Sequence, residues 1–205
     1  MAPTVDFYFD FISPYTYLAN TVLPRLAQKH GASIRYHPIN LIEVMQKVGN
    51  RPMTIECRVK GEYATVDLQR WATRYQVSYA PTPYWPSIDF AELSRGALVA
   101  LDEGRGADYV DAVYLAVHGN PVNLGQRSEL IRTLNAAGFD GARLLDRAKS
   151  ADYATRLEEN TSEAAQRGVF GSPTLFVGNE MFFGNDRLQF VAEALSSGAA
   201  SQAGK

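Results

Sequence analysis

The sequence predicts an α/β domain interrupted by an all-helical insertion. Three observations carry that prediction. A strand, helix, strand pattern fills residues 1–39. Helical periodicity then replaces strand signals across residues 40–167, and a hairpin with a closing helix occupies the segment 168–205. The two ends share one sheet only if the helical block lies between them, and this is the chain order of a thioredoxin-like domain interrupted by helices.

The first strand is read from Val5, Phe7, Phe9 and Phe11, which alternate with Asp6, Tyr8 and Asp10. Ser13 then stands where a helix is capped, and Pro14 stands at the first helical position, where its missing N–H costs nothing. Leu18, Val22 and Leu26 continue at helical spacing, Pro24 is expected to kink or restrict the helix, and Gly31 ends it. "SIRYHPI" is the second strand, and the crossover length makes the pair parallel.

In the middle segment the spacing predicts helices over residues 62–76, 89–102, 107–118, 127–137, 141–149 and 152–167. Asn123, with Gln126 three residues on, is the expected cap of the fourth of these. "SYAPTPYWPS" is a loop too apolar for a bare linker, so it is expected to pack or to line a site. In "SPTLFVGNEMFFG" two short apolar runs meet at Gly178-Asn179, a hairpin turn. Asn185 or Asp186 is the expected cap of the last helix, and the tail "SSGAASQAGK" is expected to fray.

Composition narrows the function. The 205 residues are 46% hydrophobic, enough for a sizeable core. The net charge of −2 argues against binding nucleic acid through phosphate neutralisation. The single cysteine, Cys57, allows neither an internal disulfide nor a Cys-x-x-Cys pair. No basic leader precedes the first strand, and no apolar run is long enough to span a membrane, so a cytoplasmic protein is expected.

The chemistry is sought at the helix starts. A helix N-terminus gathers unpaired N–H groups and favours a thiolate. In a thioredoxin-like fold the reactive sulfur sits at the start of the first helix, but "SPYT" has the spacing of a Cys-x-x-Cys site with both sulfurs absent. Ser13 has two readings: it holds a sulfur that arrives on a ligand, or it simply caps the helix, the commoner role on local sequence alone. Nucleophilic serine catalysis has no support, because there is no Gly-x-Ser-x-Gly elbow.

Ser172-Pro173 precedes an apolar strand. A cis bond there would leave the Ser172 backbone free to pair with an extended peptide, whereas a trans proline would merely open an edge strand. Asn185 and Asp186 mark a second helix start, able to hold a γ-glutamyl group or merely to cap.

With those residues in view, "DFYFDFISPYTYLA", "GNRP" at 49–52, "KGEYATVDLQRWA" and "GVFGSPTLFVGNEMFFGNDRL" closely resemble the 2-hydroxychromene-2-carboxylate isomerases. Those enzymes group with the kappa-class glutathione transferases and, more distantly, with disulfide oxidoreductases that carry a helical insertion. The resemblance implies glutathione as cofactor, Ser13 as the hydroxyl at its sulfur, and Asn50 as a polar contact near the reacting centre. It implies Lys60 at a glutathione carboxylate, Ser172 beside Pro173 pairing through its backbone, and Asn185 and Asp186 at the γ-glutamyl end. The implied reaction interconverts 2-hydroxychromene-2-carboxylate and trans-o-hydroxybenzylidenepyruvate, in naphthalene breakdown. The implied assembly is a homodimer acting on a small aromatic carboxylate. Ser172 departs from the family, where a larger apolar residue is usual, and Arg51 and Met53 beside Pro52 bear on the substrate pocket.

A kappa-like transferase or peroxidase and a non-catalytic thioredoxin-like binding module are the alternatives. Cys57, in "TIECRVK", is a lone cysteine with nothing to show a setting that lowers its pKa, and is expected to be structural. His30, His37 and His118 lack metal-ligand spacing, so no metal is expected. Asp67 and Arg70 are expected as a surface pair, and Arg187 as a minor neighbour of a carboxylate.

Overall fold

In the structure, a computed structural model, residues 2–203 are described. Strand β1 (Thr4–Phe9) leads into helix α1 (Pro14–Lys29) and strand β2 (Ser33–Pro38). The helical stretch follows: α2 (Leu41–Lys47), α3 (Met53–Glu56), α4 (Arg58–Tyr75), α5 (Phe90–Asp102), α6 (Gly106–Tyr114), α7 (Arg127–Ala136), α8 (Gly141–Ala148) and α9 (Ala151–Gln166). Strands β3 (Thr174–Val177) and β4 (Glu180–Phe183) and helix α10 (Leu188–Ala203) close the chain.

The sheet has four strands in the order β2-β1-β3-β4. β1 runs parallel to β2, with Phe7 opposite Tyr36, and antiparallel to β3, with Phe7 opposite Leu175. The two ends of the chain therefore do share one sheet, with the helical stretch between them. Gly178 supplies the positive φ of 61° at the β3–β4 turn.

Both faces of central β1 are covered. Val5, Phe7 and Phe9 join one large core with residues of α1, α5, α6 and α10. Tyr8 and Phe176 point the other way and pack with Val44 of α2 and Ala164 of α9. Helices α2 and α9 thus form a second layer on the sheet. Arg167, just past α9, ties that layer down by donating to Asp6 at 2.8 Å and lying 3.8 Å over the Phe176 ring.

The differences from the sequence reading have physical causes. Helix α2 went unread, although Asn40 accepts from the Glu43 N–H at 3.2 Å in an Asn-x-x-Glu start. Helix α4 begins at Arg58 rather than residue 62 and takes in Gly61, which lies so close to Thr54 that a Cβ would sit 2.7 Å from its carbonyl oxygen. Asn123 does not cap α7: its amide oxygen takes the Gly125 N–H at 3.2 Å and the Ser87 hydroxyl at 2.8 Å, and Gln126 stands at the cap without a side-chain bond. Helix α1 runs through Pro24 to Lys29. The polar tail is helical as far as Ala203, and the rest of it lies outside the described residues.

The segment expected as one helix over 107–118 is α6 followed by a π turn, Leu115–Gly119. That turn carries buried His118, whose Nε2–H donates to the Phe11 carbonyl at 2.8 Å. A carbonyl only accepts, so the proton sits on Nε2. One residue away, the Asp10 carboxylate accepts from the Ile12 N–H at 2.7 Å and the Leu41 N–H at 2.8 Å. Asp10 therefore joins the β1–α1 turn to the start of α2.

Burial raises the Asp10 pKa to about 6 and lowers that of His118 to about 4. The two act on stability with opposite sign. Asp10, raised above its unfolded value, contributes stability at low pH that is lost as pH climbs towards 6. His118, lowered below its unfolded value, contributes stability above about pH 6.5 that is lost as pH falls towards 4. Between those pH values the two contributions offset one another. In urea denaturation from pH 7 to 4, Asp10→Asn is expected to expose the His118 contribution as a loss of about 2–3 kcal/mol on acidification, beyond the wild-type loss. A variant profile parallel to that of the wild type would contradict the opposed titrations.

Candidate functional site

Ser13 ends the β1–α1 turn with extended backbone at the N-cap of α1. Its carbonyl accepts the Thr16 and Tyr17 N–H groups at 3.1 and 3.2 Å, while its hydroxyl accepts from Thr16 N at only 3.4 Å. The shorter contact of that hydroxyl is the bond it donates to the Ser172 carbonyl, at 3.1 Å. The side-chain cap is therefore weak, and the hydroxyl faces the loop before β3.

The Ser172-Pro173 bond is cis, as one of the two sequence readings required. The Ser172 hydroxyl turns inward and shares a 2.8 Å hydrogen bond with Thr16 Oγ1. A larger apolar residue at this position could not make that bond. Ser172 thus ties the loop to the first turn of α1.

Ser13, Asn50, Lys60 and Ser172 line one cavity of about 720 Å³. Its walls are mainly apolar and include Leu41 and Met45 of α2, Leu68 of α4, Trp85, Phe170 and Phe183. Trp85 comes from the loop expected to line a site. Phe183 lies against Phe170, with ring centres 4.6 Å apart, and covers Gly171 so closely that a Cβ there would meet its ring at 2.5 Å.

Asn50 is held by the backbone around it. Its Nδ2–H donates to the Phe170 carbonyl at 2.7 Å, and its Oδ1 accepts from Arg51 N at 2.8 Å. One amide N–H remains for a ligand. Lys60 is exposed in the first turn of α4, and no ion pair engages it among the described residues.

Asn185 and Asp186 do not line the cavity. They lie in a 3₁₀ turn, Asn185–Arg187, which precedes α10, and neither makes a side-chain cap bond. Gly184, with φ 101°, stands at the cap instead. Asn185 is buried, its Nδ2 has no partner, and its carbonyl takes the Tyr75 hydroxyl at 2.8 Å. Exposed Asp186 pairs with its neighbour Arg187.

Tyr15 and Asp67 escaped the sequence reading as a unit. No Asp67–Arg70 pair forms among the described residues; instead Asp67 accepts from the Tyr15 hydroxyl at 3.1 Å, joining α1 to α4 beside the cavity. Burial and the Asp67 carboxylate raise the Tyr15 pKa above its ordinary value, so the phenol stays a donor. Cys57 stands at the N-cap of α4 without a cap bond and does not line the cavity. Among the described residues no group of three or more His, Cys, Asp or Glu side chains is arranged to hold a metal, and no helix is long and apolar enough to cross a membrane.

The arrangement is a helix N-terminus and hydroxyl facing a cis-proline loop, on an apolar cavity with cationic side chains at its edge. Known proteins are similar to this one over nearly the whole chain. A DSBA-like thioredoxin domain model matches residues 4–196. A 2-hydroxychromene-2-carboxylate isomerase of Pseudomonas putida is 38% identical over 192 residues, covering 93% of each chain. A glutathione S-transferase kappa 1 of Caenorhabditis elegans is 30% identical, over 94% of this chain and 91% of its own. The solved structure of a 2-hydroxychromene-2-carboxylate isomerase aligns with a TM-score of 0.88 and 36% identity, covering 98% of each chain. The chain belongs to the DSBA-like thioredoxin-domain family and, within it, to the 2-hydroxychromene-2-carboxylate isomerases, with the kappa-class glutathione transferases as further relatives.

Proposed function

We propose that this protein is a glutathione-dependent isomerase that interconverts 2-hydroxychromene-2-carboxylate and trans-o-hydroxybenzylidenepyruvate. The observation that carries the reading is the Ser13 hydroxyl, 3.1 Å from the Ser172 carbonyl, at the start of α1 on an apolar cavity. A hydroxyl donor, a helix N-terminus, a backbone edge on the cavity wall and a lysine are the groups that a thiolate peptide with a free carboxylate needs. The isomerase and kappa-transferase relatives support the same reading.

Bound there, reduced glutathione would supply a nucleophilic sulfur able to add reversibly to the conjugated double bond of the ring-opened form, in which the hemiketal C–O bond has given phenol and ketone, and so to permit rotation about it. Ser13 donates its hydroxyl hydrogen to the sulfur, and the first turn of α1 adds its partial positive charge. The Ser172 backbone, beside Pro173, pairs with the peptide, and Lys60 receives its glycyl carboxylate. Asn185 and Asp186 hold the γ-glutamyl end, where Asp186 offers a carboxylate to the ammonium. Asn50 turns its remaining N–H towards the reacting centre. The apolar wall, Trp85 included, packs on the aromatic ring and keeps water away. Cytoplasmic location and homodimeric assembly belong to the same reading.

Conversion of the chromene should proceed with total glutathione constant over many turnovers, measured by following product absorbance and free thiol together. Glutathione loss equal to product formed would replace this reading with the transferase alternative. Ser13→Ala should lower kcat/KM by about 100-fold, the scale of one lost donor to developing charge, with only about 1 kcal/mol of stability lost. Near-normal turnover in that variant would leave Ser13 as a helix cap alone.

A further inference from the structure

The cavity is electrostatically one-sided. Among the described residues that line it there are two cations, Arg51 and Lys60, and no aspartate or glutamate. Such a lining selects anions, and an apolar wall behind it selects a flat, largely apolar anion. The proposed reaction brings two carboxylate-bearing molecules together there: the tripeptide and the substrate. Lys60 is assigned to the first, so one cation is left for the second.

We propose that Arg51 is the specificity-determining residue that receives the carboxylate of the small aromatic substrate. The inference rests on the isomerase reading and adds to it a residue and a division of charge. Three features of Arg51 fit the role. Its backbone is fixed, because its N–H is held by Asn50 Oδ1 at 2.8 Å, and Asn50 is in turn held to the Phe170 carbonyl at 2.7 Å. It is thereby anchored to the loop that leads to Ser172. Among the described residues its guanidinium pairs with Glu56 alone, at 3.8 Å, with 75% of the Arg51 side chain and 44% of the Glu56 side chain exposed. An exposed pair at that distance is worth little, so the head can turn inward at small cost. The planar fork of a guanidinium also matches a carboxylate with two parallel hydrogen bonds, which fixes the orientation of a flat conjugated acid, as a lysine point charge does not.

The test uses the full chain with reduced glutathione, 2-hydroxychromene-2-carboxylate and its carboxamide analogue. Arg51→Met should raise KM for the carboxylate about 10- to 100-fold, the scale of a lost charged hydrogen bond, and change kcat little. Its KM for the carboxamide, and its calorimetric affinity for glutathione, should match the wild type. Arg51→Lys should recover part of the loss. With an active wild type, an unchanged carboxylate KM in Arg51→Met overturns the inference alone. So does a selective rise in carboxylate KM in Lys60→Met with Arg51→Met silent. A wild type that binds glutathione but leaves the chromene unconverted overturns the isomerase reading, and the inference with it.

Discussion

The site depends on one contact, that between the first turn of α1 and the loop before β3. Ser13 and Thr16 lie one helical turn apart, and each reaches Ser172, the first at its carbonyl and the second at its hydroxyl. The partners are more than 150 positions apart in sequence, with the whole helical stretch between them. Their meeting requires that β1 pair with β3, since those strands carry the two segments to the same end of the sheet. The sheet register is therefore a functional quantity here: a slip of one residue would turn the side chains of β3 to the opposite face and move the loop away from α1.

Beneath that contact the protein buries Asp10 and His118, and neither lines the cavity. Asp10 gives up hydration for two backbone N–H bonds, and these fix the β1–α1 turn against the start of α2. Buried carboxylates are costly unless their lone pairs are used, and here both oxygens are. His118 performs the matching task on the donor side, at the carbonyl of Phe11. The π turn that carries it widens the helix where Gly119 passes so close to Tyr17 that a Cβ would sit 2.8 Å from its hydroxyl. The polar groups that locate the reactive hydroxyl are thus placed behind it, where solvent and ligand do not compete for them.

Much of this was legible in the sequence, for identifiable reasons. The period-two run from Val5 to Phe11 marked the central strand because both its faces are filled by large side chains. Ser13-Pro14 and Gly178-Asn179 worked as punctuation because each has a local backbone reason. What escaped notice was decided by distant partners. Asn123 looked like a cap, yet Ser87 claims its oxygen. Asp67 and Arg70 have the spacing of a helix pair, yet Tyr15 lies nearer to Asp67 in space. Gly61 lies inside α4, where the Thr54 carbonyl leaves no room for a Cβ, a contact that no spacing reveals. The cavity has the same character: its lining comes from α1, α2, α4, two loops and the hairpin, and no single stretch of sequence announces it.

The absence of a thiol at the helix start then has a physical sense. A cysteine at position 13 would share the helix N-terminus with any sulfur brought by a ligand, and two sulfurs within reach invite a disulfide in place of reversible addition. A serine hydroxyl offers the same donor in nearly the same place but cannot be oxidised to a disulfide or held as an anion at neutral pH. It stabilises a neighbouring negative sulfur without becoming a rival nucleophile. The lone cysteine of the chain stands at the cap of α4, away from the cavity lining, so the chain brings no thiol of its own to the helix start. The Ser13 hydroxyl hydrogen rests on the Ser172 carbonyl, and in the proposed reaction a small rotation about its C–O bond is all that redirecting it to a ligand sulfur demands.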